Sequence, residues 1–462
     1  EWHEIADHLI ATDGFFSGDL TPHCIIDTIL IAVEKADEQN EFGLMYAYTK
    51  FAIRKFKNDF WEDRYNARIR LNLYCQRTAY LNNDLDLMEH CTSYLLTHAD
   101  SLEEKTICIE NAVDGYISKN RENDAISLAI EGIKELGHTL DRHPTQHKTA
   151  LKVLKIRYKL SKKTKNDISQ LTPCNSSQTK SIIRLLLKVA HSTYGNNRNL
   201  FAISCCEIID ITLSSGLAPE SAYAVQIFCS SIVTGYFRKL SLGRKISRNW
   251  EPLYTEQKNY MYSARSRFIF DAFIGYHTTP LSENVKQLDR DFEKNIEVGA
   301  YEMAAYSAHV AGFHALDSHE PLEDVNLRIN HYVSKLGNIT QQNADRWLLI
   351  IKEFSLSLTD EYSTSDFQGP HFNINTDINE SIYQNDKASV FIAYHYATVK
   401  AYLCGNYDKA LFSARKAGKY KEHVGGTYGE YLHIFISAII RAKLTFEGSY
   451  SHTKSIIYIQ RS

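Results

Sequence analysis

The sequence predicts an all-α protein, an irregular array of stacked helical hairpins of the α-α solenoid kind. Three observations carry this. Apolar residues recur at steps of three and four almost without interruption, as in "FGLMYAYTKFAIRKF" and "YLHIFISAIIRAKL". Only eight prolines occur in 462 residues, about a third of the usual roughly 5%, and proline is excluded from helix interiors. Third, five residue types repeat at fixed offsets in two places. Gly299 is followed by Tyr301, Ala304, Ala308 and Ala311, and Gly405 by Tyr407, Ala410, Ala414 and Ala417.

The bulk numbers bound the class. The length exceeds that of one compact core, so two cores or an elongated array is expected. Hydrophobic content of 44% and charged content of 23% are ordinary for a folded soluble chain. A net charge of −3 and an isoelectric point near 6.7 argue against binding nucleic acid through general basicity. No run of 18 apolar residues is present, so no membrane insertion is expected. The opening "EWHEIADHLIATDG" is acidic and amphipathic, unlike a signal peptide. Nine cysteines, scattered without a C-x-x-C pair, read as reduced cytoplasmic thiols packed as small apolar residues. The sequons at Asn175, Asn338 and Asn379 are read as chance.

Along the chain, an N-terminal helical array is expected over 1–160. Its breaks are Asn82-Asn83-Asp84 and Glu122-Asn123-Asp124, each between two amphipathic segments of helix length. The stretch 161–180, rich in Ser, Thr, Asn and Lys, reads as a polar loop or joint. A middle array follows over 181–358, then a second polar loop over 359–386, then C-terminal hairpins over 387–462.

The ladder has a mechanical reading. Glycine at a hairpin turn supplies positive φ without steric cost. The tyrosine two residues on opens the second helix and covers the hairpin end. Alanines at +5, +9 and +12 fall on one helical face and admit a close neighbour. This is the pattern of a tetratricopeptide (TPR) unit, whose period is about 34 residues, and 405 − 299 = 106 is about three periods. "AYLNNDLDLMEHCTSYLLTHA" fits more loosely, with Asn83 at the turn but Met88 at the first alanine position. "GYISKNRENDAISLAIEGIKELG" shows a longer turn. The array is TPR-like and irregular.

Four stretches resemble the long TPR-like region of very large bacterial signalling proteins. "EGIKELGHTLDRHP" (Glu131 to Pro144) is similar to E-G-x-x-x-L-G-x-x-L-x-x-x-P. "LLLKVAHSTYGNNRNLFAISCCEIIDITLSSGLAPESAYAV" (from Leu185) resembles paired helices ending in L-S-x-x-G. "RFIFDAFIGYHTTPLSENV" and "NIEVGAYEMAAYSAHVAGFHAL" resemble the segment and hairpin that follow. Those proteins combine a serine/threonine kinase-like domain, an AAA/STAND-type ATPase, this helical region, a GAF domain and a histidine kinase. His277 departs from the family's usual Trp, and Ala300 from its frequent Asp. The resemblance spans roughly residues 1 to 445 and implies that the chain is a middle region of such a protein, beginning just after the ATPase.

Candidate chemistry is sparse. His143-x-x-x-His147, with His138 nearby, has a zinc-compatible spacing, but Pro144 places His143 at or before a helix cap. His309, His314 and His319 step by five and spread around a helix. Gly425-Gly426-x-x-Gly429 lacks the Lys-Ser/Thr and the preceding strand of a phosphate loop, so a helix–helix turn is expected. Cys205-Cys206 lies in an apolar helical segment and reads as core. Lys162, Lys163 and Lys165 read as a solvated loop. No catalytic set, cofactor site or metal site is assigned.

A binding surface remains. In a TPR hairpin the first helix lines the groove. Before Gly405 its positions are Ile392, His395, Val399 and Tyr402; before Gly299 they are Lys286, Asp289, Glu293 and Ile296. They face a peptide, a partner domain or a small effector, or else pack against the next repeat. The function expected is therefore a non-catalytic regulatory module that senses a partner protein, a neighbouring domain of its own chain or an effector. The alternative is a stand-alone ligand-binding protein or enzyme on an irregular helical fold.

Overall fold

A computed structural model describes residues 2–12, 21–39, 41–56, 64–119, 121–194, 196–255, 260–337, 342–358, 365–383 and 386–447. Among them there is no β-strand, only isolated bridges between Pro173 and Leu217 and between Gln368 and Asn373. The chain is all-α. It forms two units: residues 1–143 with 175–193, and residues 144–174 with 194–462.

The first unit holds α1 (Trp2–Ala11), α2 (Pro22–Glu38), α3 (Phe42–Lys55), α4 (Tyr65–Leu81), α5 (Leu85–His98), α6 (Leu102–Ser118) and α7 (Glu122–Glu135). Starts are capped by short polar side chains. Thr21 precedes Pro22 at the head of α2, Asp84 accepts from the Leu87 amide at 3.1 Å, and Ser101 and Glu104 form a reciprocal capping box. Successive hairpins are joined by ion pairs between their first helices, Arg64–Asp27 at 2.5 Å and Arg77–Asp37 at 3.1 Å. Such exposed pairs set alignment more than stability.

One turn recurs in both units. The amide after the turn residue donates to the carbonyl five residues back: Glu41 to Ala36, Asp84 to Ala79, Arg121 to Tyr116, Ala300 to Asn295 and Asn406 to Ala401, at 2.8–2.9 Å. In three of them this closes the last helical turn around a residue in the left-handed region. That residue is Gly299 at φ 70°, Gly405 at φ 74° and Asn83 at φ 63°, asparagine being the side chain that best tolerates it. A Cβ on either glycine would meet nothing within 4 Å, so the backbone angle alone selects glycine there.

The expected longer turn after Tyr116 is corrected by this bond. Arg121 closes it, and Glu122-Asn123-Asp124 is the first turn of α7. The residues at +5, +9 and +12 are then buried in all five hairpins: Met45, Thr49 and Ala52; Met88, Thr92 and Leu95; Ala125, Ala129 and Gly132; and the two alanine ladders. Met88 fits where alanine was expected because Gly115 lies opposite. A Cβ there would come within 2.1 Å of the Met88 sulfur.

The segment 161–180 is not a loop. It contains the end of α8 (Gln146–Ser161), the short α9 (Lys165–Ser169) and the start of α10 (Ser177–Thr193). It is also not a single joint, since 144–174 belongs to the second unit and α10 returns to the first. There α10 buries Ile183, Leu186 and Ala190, while Arg184 reaches Glu110 at 2.7 Å.

The second unit continues with α11 (Arg198–Ser215), α12 (Ser221–Ile227), a π-helical segment (Phe228–Tyr236), α13 (Leu240–Asn249), α14 (Glu251–Thr255) and α15 (Tyr260–Phe273). Then come α16 (Leu281–Glu297), α17 (Tyr301–Leu316), α18 (Leu322–Leu336), α19 (Gln342–Leu356), α20 (Asp377–Tyr383), α21 (Lys387–Leu403), α22 (Tyr407–Gly418) and α23 (Tyr428–Phe446). The described part of 359–386 includes α20, so that stretch is not wholly loop; 359–364, 384–385 and 448–462 lie outside the described residues. Gly299 joins α16 to α17 and Gly405 joins α21 to α22. Ala304, Ala308 and Ala311 sit in a core shared with Ile329, Ile351 and Phe391.

Candidate functional site

The groove residues do not form one solvent-lined surface. On α16, Lys286 is exposed and pairs with Glu283 of its own helix at 3.5 Å. Asp289 accepts from Arg328 and from the Tyr332 hydroxyl of α18. Glu293 binds Lys335 at 2.8 Å and His331 at 3.0 Å, and these two hydrogen bonds hold its carboxyl below the usual range. Ile296 packs on the core. This face is engaged by the next helix.

On α21 the correction is larger. Ile392 and His395 are 4% and 0% exposed, Val399 packs against the same core, and Tyr402 packs on Ala401, Ala410 and Ile440. His395 lies 3.4 Å from His433 of α23, ring nitrogen to ring nitrogen, and stacks on Phe391. Burial pushes His395 well below its usual pKa and His433 down to about 4. Two imidazoles this close inside a core stay neutral. They are packing groups.

Other candidates resolve similarly. His143 precedes α8, whose cap is Thr145. Among the described residues no group of three His, Cys, Asp or Glu is placed to hold a metal ion. Gly426, at φ 82°, lets the backbone approach Gly235, where an added Cβ would meet the Gly235 Cα at 3.2 Å. The glycine-rich stretch is thus a close-packed turn before α23. Cys205 and Cys206 are buried, and burial raises both thiols, Cys205 to about 12, so they are inert.

A buried polar cluster was not foreseen. Asp291 and Asn295 of α16 are fully buried, as is Asn284, and Asp271 of α15 is 6% exposed. Burial pushes Asp271 up to about 6 and Asp291 well above the carboxylate range. Neither Asp291 oxygen meets a donor, yet the Asp271 carboxyl is within hydrogen-bond reach. Two ionised carboxylates offer no donor to each other; with one shared proton the pair closes its own hydrogen bond. Asn284 donates to the Asp271 backbone carbonyl at 3.1 Å and faces His314 Nδ1 with its oxygen at 2.7 Å. His314 therefore carries its proton on Nδ1 and donates, so it is not merely one of a ring of scattered histidines. Burial holds its pKa near 3. The signal was present in sequence: eight and four residues before the turn, Asp291 and Asn295 stand where other hairpins have Ala32 and Ala36, Cys75 and Ala79, or Ala397 and Ala401. The cluster is sealed from solvent, which suits a structural role rather than turnover.

The exposed chemistry lies elsewhere in the second unit, on α8. Leu151, Leu154 and Tyr158 are 69%, 41% and 65% exposed. Their i, i+3, i+7 spacing makes one outward stripe. Opposite, Val153, Ile156 and Leu160 are buried, and Lys152 reaches Glu207 at 2.9 Å and Asp210 at 3.1 Å on α11. So α8 is apolar on two sides, and only one is covered. The π-helical segment ends beside it and supplies exposed Tyr236, with Phe237 under the Arg157 guanidinium at 5.7 Å. Leu154, Arg157, Tyr158, Ser161, Lys239 and Leu242 line an open concavity of about 520 Å³. Sequence reading passed over this stripe because its lysines resemble those of an ordinary solvated helix.

No family model matches the chain, and no curated protein matches it. Among solved structures it aligns with a circular tandem repeat protein with novel repeat topology and enhanced subunit contact surfaces, over 99% of this chain and 96% of that one, at 13% identity and a TM-score of 0.17. At that score the likeness carries no argument; the fold rests on the helix pairings above. No helix among the described residues is long and apolar enough to cross a membrane.

Proposed function

We propose that the chain is a non-catalytic interaction module, cytoplasmic and regulatory, that docks a protein partner on a helical-hairpin scaffold. The observation that supports this best is the uncovered stripe of Leu151, Leu154 and Tyr158 beside a concavity. Large apolar side chains exposed in a row at helical spacing mark recognition surfaces. The setting in an ATPase–kinase signalling protein rests on the four resembling stretches, and such a scaffold suits it because each repeat transmits strain mainly to its neighbours. The alternative of an enzyme draws on the paired carboxyls and the histidines, but these are buried and matched to one another.

The test places a photo-crosslinking amino acid at Tyr158, and for comparison at Phe435, which is exposed on α23. Expected is one discrete protein adduct at position 158 in cells of the source organism, none at 435. The captured protein, purified, should bind the wild-type chain and lose binding to Tyr158→Ser. Equal labelling at both positions, or binding that ignores Tyr158→Ser, overturns the reading.

A further inference from the structure

Resting on that reading, we infer that the partner presents an acidic amphipathic helix to the face formed by α8 and α13. Charge is the first argument. The protein as a whole is slightly acidic, at −3. Yet Gln146–Ser161 carries five Lys and Arg and Leu240–Asn249 three, with no Asp or Glu in either helix. Both helices are therefore basic in a chain that is not. Lys152 and Lys159 are matched by α11 carboxylates on the covered side. On the open side, Arg157 and Lys239 border the concavity, and Lys162 sits over the Tyr158 ring at 5.4 Å. An approaching chain of negative sign is steered to this rim, and a positive one is repelled.

Shape and apolar chemistry select among anionic partners. Leu154 and Leu242 line the concavity together with the cations. Phosphate backbones give such leucines nothing to contact, since nucleic-acid surfaces pair cations with stacking aromatic rings or with base edges. A bilayer is flat and favours a convex apolar face with a basic rim, whereas this surface is recessed. A helix fits both features. Its apolar ridge at i, i+4 and i+7 lays into the concavity between α8 and α13, against Leu154, Tyr158 and Leu242, with Leu151 extending the apolar stripe beyond it, while carboxylates on its flanks meet Arg157 and Lys239.

The experiment uses the full chain and a fluorescein-labelled helical peptide with leucines at i, i+4, i+7 and i+11 and glutamates on the flanks. Fluorescence anisotropy is read at low and at physiological salt. Two control peptides replace the glutamates by lysine or the leucines by serine. Expected is binding of the Glu/Leu peptide, weaker at higher salt, and at least about tenfold weaker binding of either control. Tyr158→Ser should weaken binding about tenfold without moving the thermal melt, because its ring is exposed. The double variant Arg157→Glu with Lys239→Glu should invert the preference and favour the lysine peptide, a change no general loss of folding produces. Tighter binding of the lysine peptide by the wild type overturns the inference. So does binding of phosphatidylserine vesicles or duplex DNA that the double variant abolishes while the Glu/Leu peptide fails to bind. If position 158 captures a partner but the Glu/Leu peptide does not bind, the interaction reading stands and the acidic helix falls.

Discussion

The hairpins α16–α17 and α21–α22 share a turn, a tyrosine and three buried alanines, yet their first helices live in opposite environments. On α16 the outward positions Asp289 and Glu293 are taken by cations and a hydroxyl of α18, and two polar residues, Asp291 and Asn295, are buried on the seam. On α21 the equivalent outward positions are His395, fully buried against α23, and Val399, packed on the same core, and the seam is Ala397 and Ala401. The difference teaches that the turn and ladder fix how two helices pair, whereas the neighbour fixes what the outer face of the pair means. An ion-paired flank in one hairpin is a core in the other.

The largest effect that sharpens this contrast is at those outer positions. His395→Ala removes a stacked, fully buried ring and should destabilise by about 2–4 kcal/mol, while Glu293→Ala, whose partners are exposed, should stay within about 0.5 kcal/mol. Urea denaturation reads both, and equal effects would erase the distinction. Next, Ala308→Leu and Ala410→Leu should each cost about 1–3 kcal/mol, because both methyls are fully buried in the shared seam. An unchanged denaturation midpoint for either places that alanine outside the seam.

The polar seam is peculiar to α16, so Asp291→Asn should act with the opposite sign. The folded state holds Asp271 up to about 6 and Asp291 well above its usual value, so below these it binds more protons than the unfolded chain. This contribution is greatest in acid, and the share of Asp271 is lost as pH rises through about 6. The variant supplies a donor in place of a second acid and should be more stable by about 1–2 kcal/mol at pH 7.5. The gain should shrink towards pH 4.5. His309 and His433, both held near 4 by burial, work in the other direction. They cost stability as pH falls below about 6.5, where the unfolded imidazoles take up protons. Melting across this pH range should show the variant flattening only the alkaline limb. A variant gain independent of pH would mean the two carboxyls do not share a proton. A small effect common to both hairpins belongs to the turn: Gly299→Ala and Gly405→Ala should each cost about 1 kcal/mol, because only φ is strained.

Local features were legible because they are local. Positive φ at Gly299, Gly405 and Asn83, the tyrosines opening α17 and α22, and the alanine faces all follow from side-chain size and turn geometry. The ladder in α2–α3 escapes because Met45 and Thr49 replace alanine, that in α6–α7 is read with too long a turn because Glu122-Asn123-Asp124 looks like a break, and the complementary residue is on another helix, as Gly115 is for Met88. The candidate site was less legible. Whether His395 faces water depends on α23, which lies 38 residues away in sequence from it at His433. The α8 stripe escaped for the converse reason. Exposure is a statement about what fails to cover a face, and no local pattern reports that.

The return of α10 to the first unit also has a consequence in time. During synthesis, α6 and α7 emerge with their apolar sides ready for Ile183, Leu186 and Ala190, but the ribosome must first make 144–174, which belongs to the other unit. At roughly 5–20 residues per second that interval lasts seconds, long compared with helix formation and hairpin collapse. The nascent first unit therefore waits with an open flank. A pause in synthesis or a proteolytic cut between α8 and α10 prolongs that state.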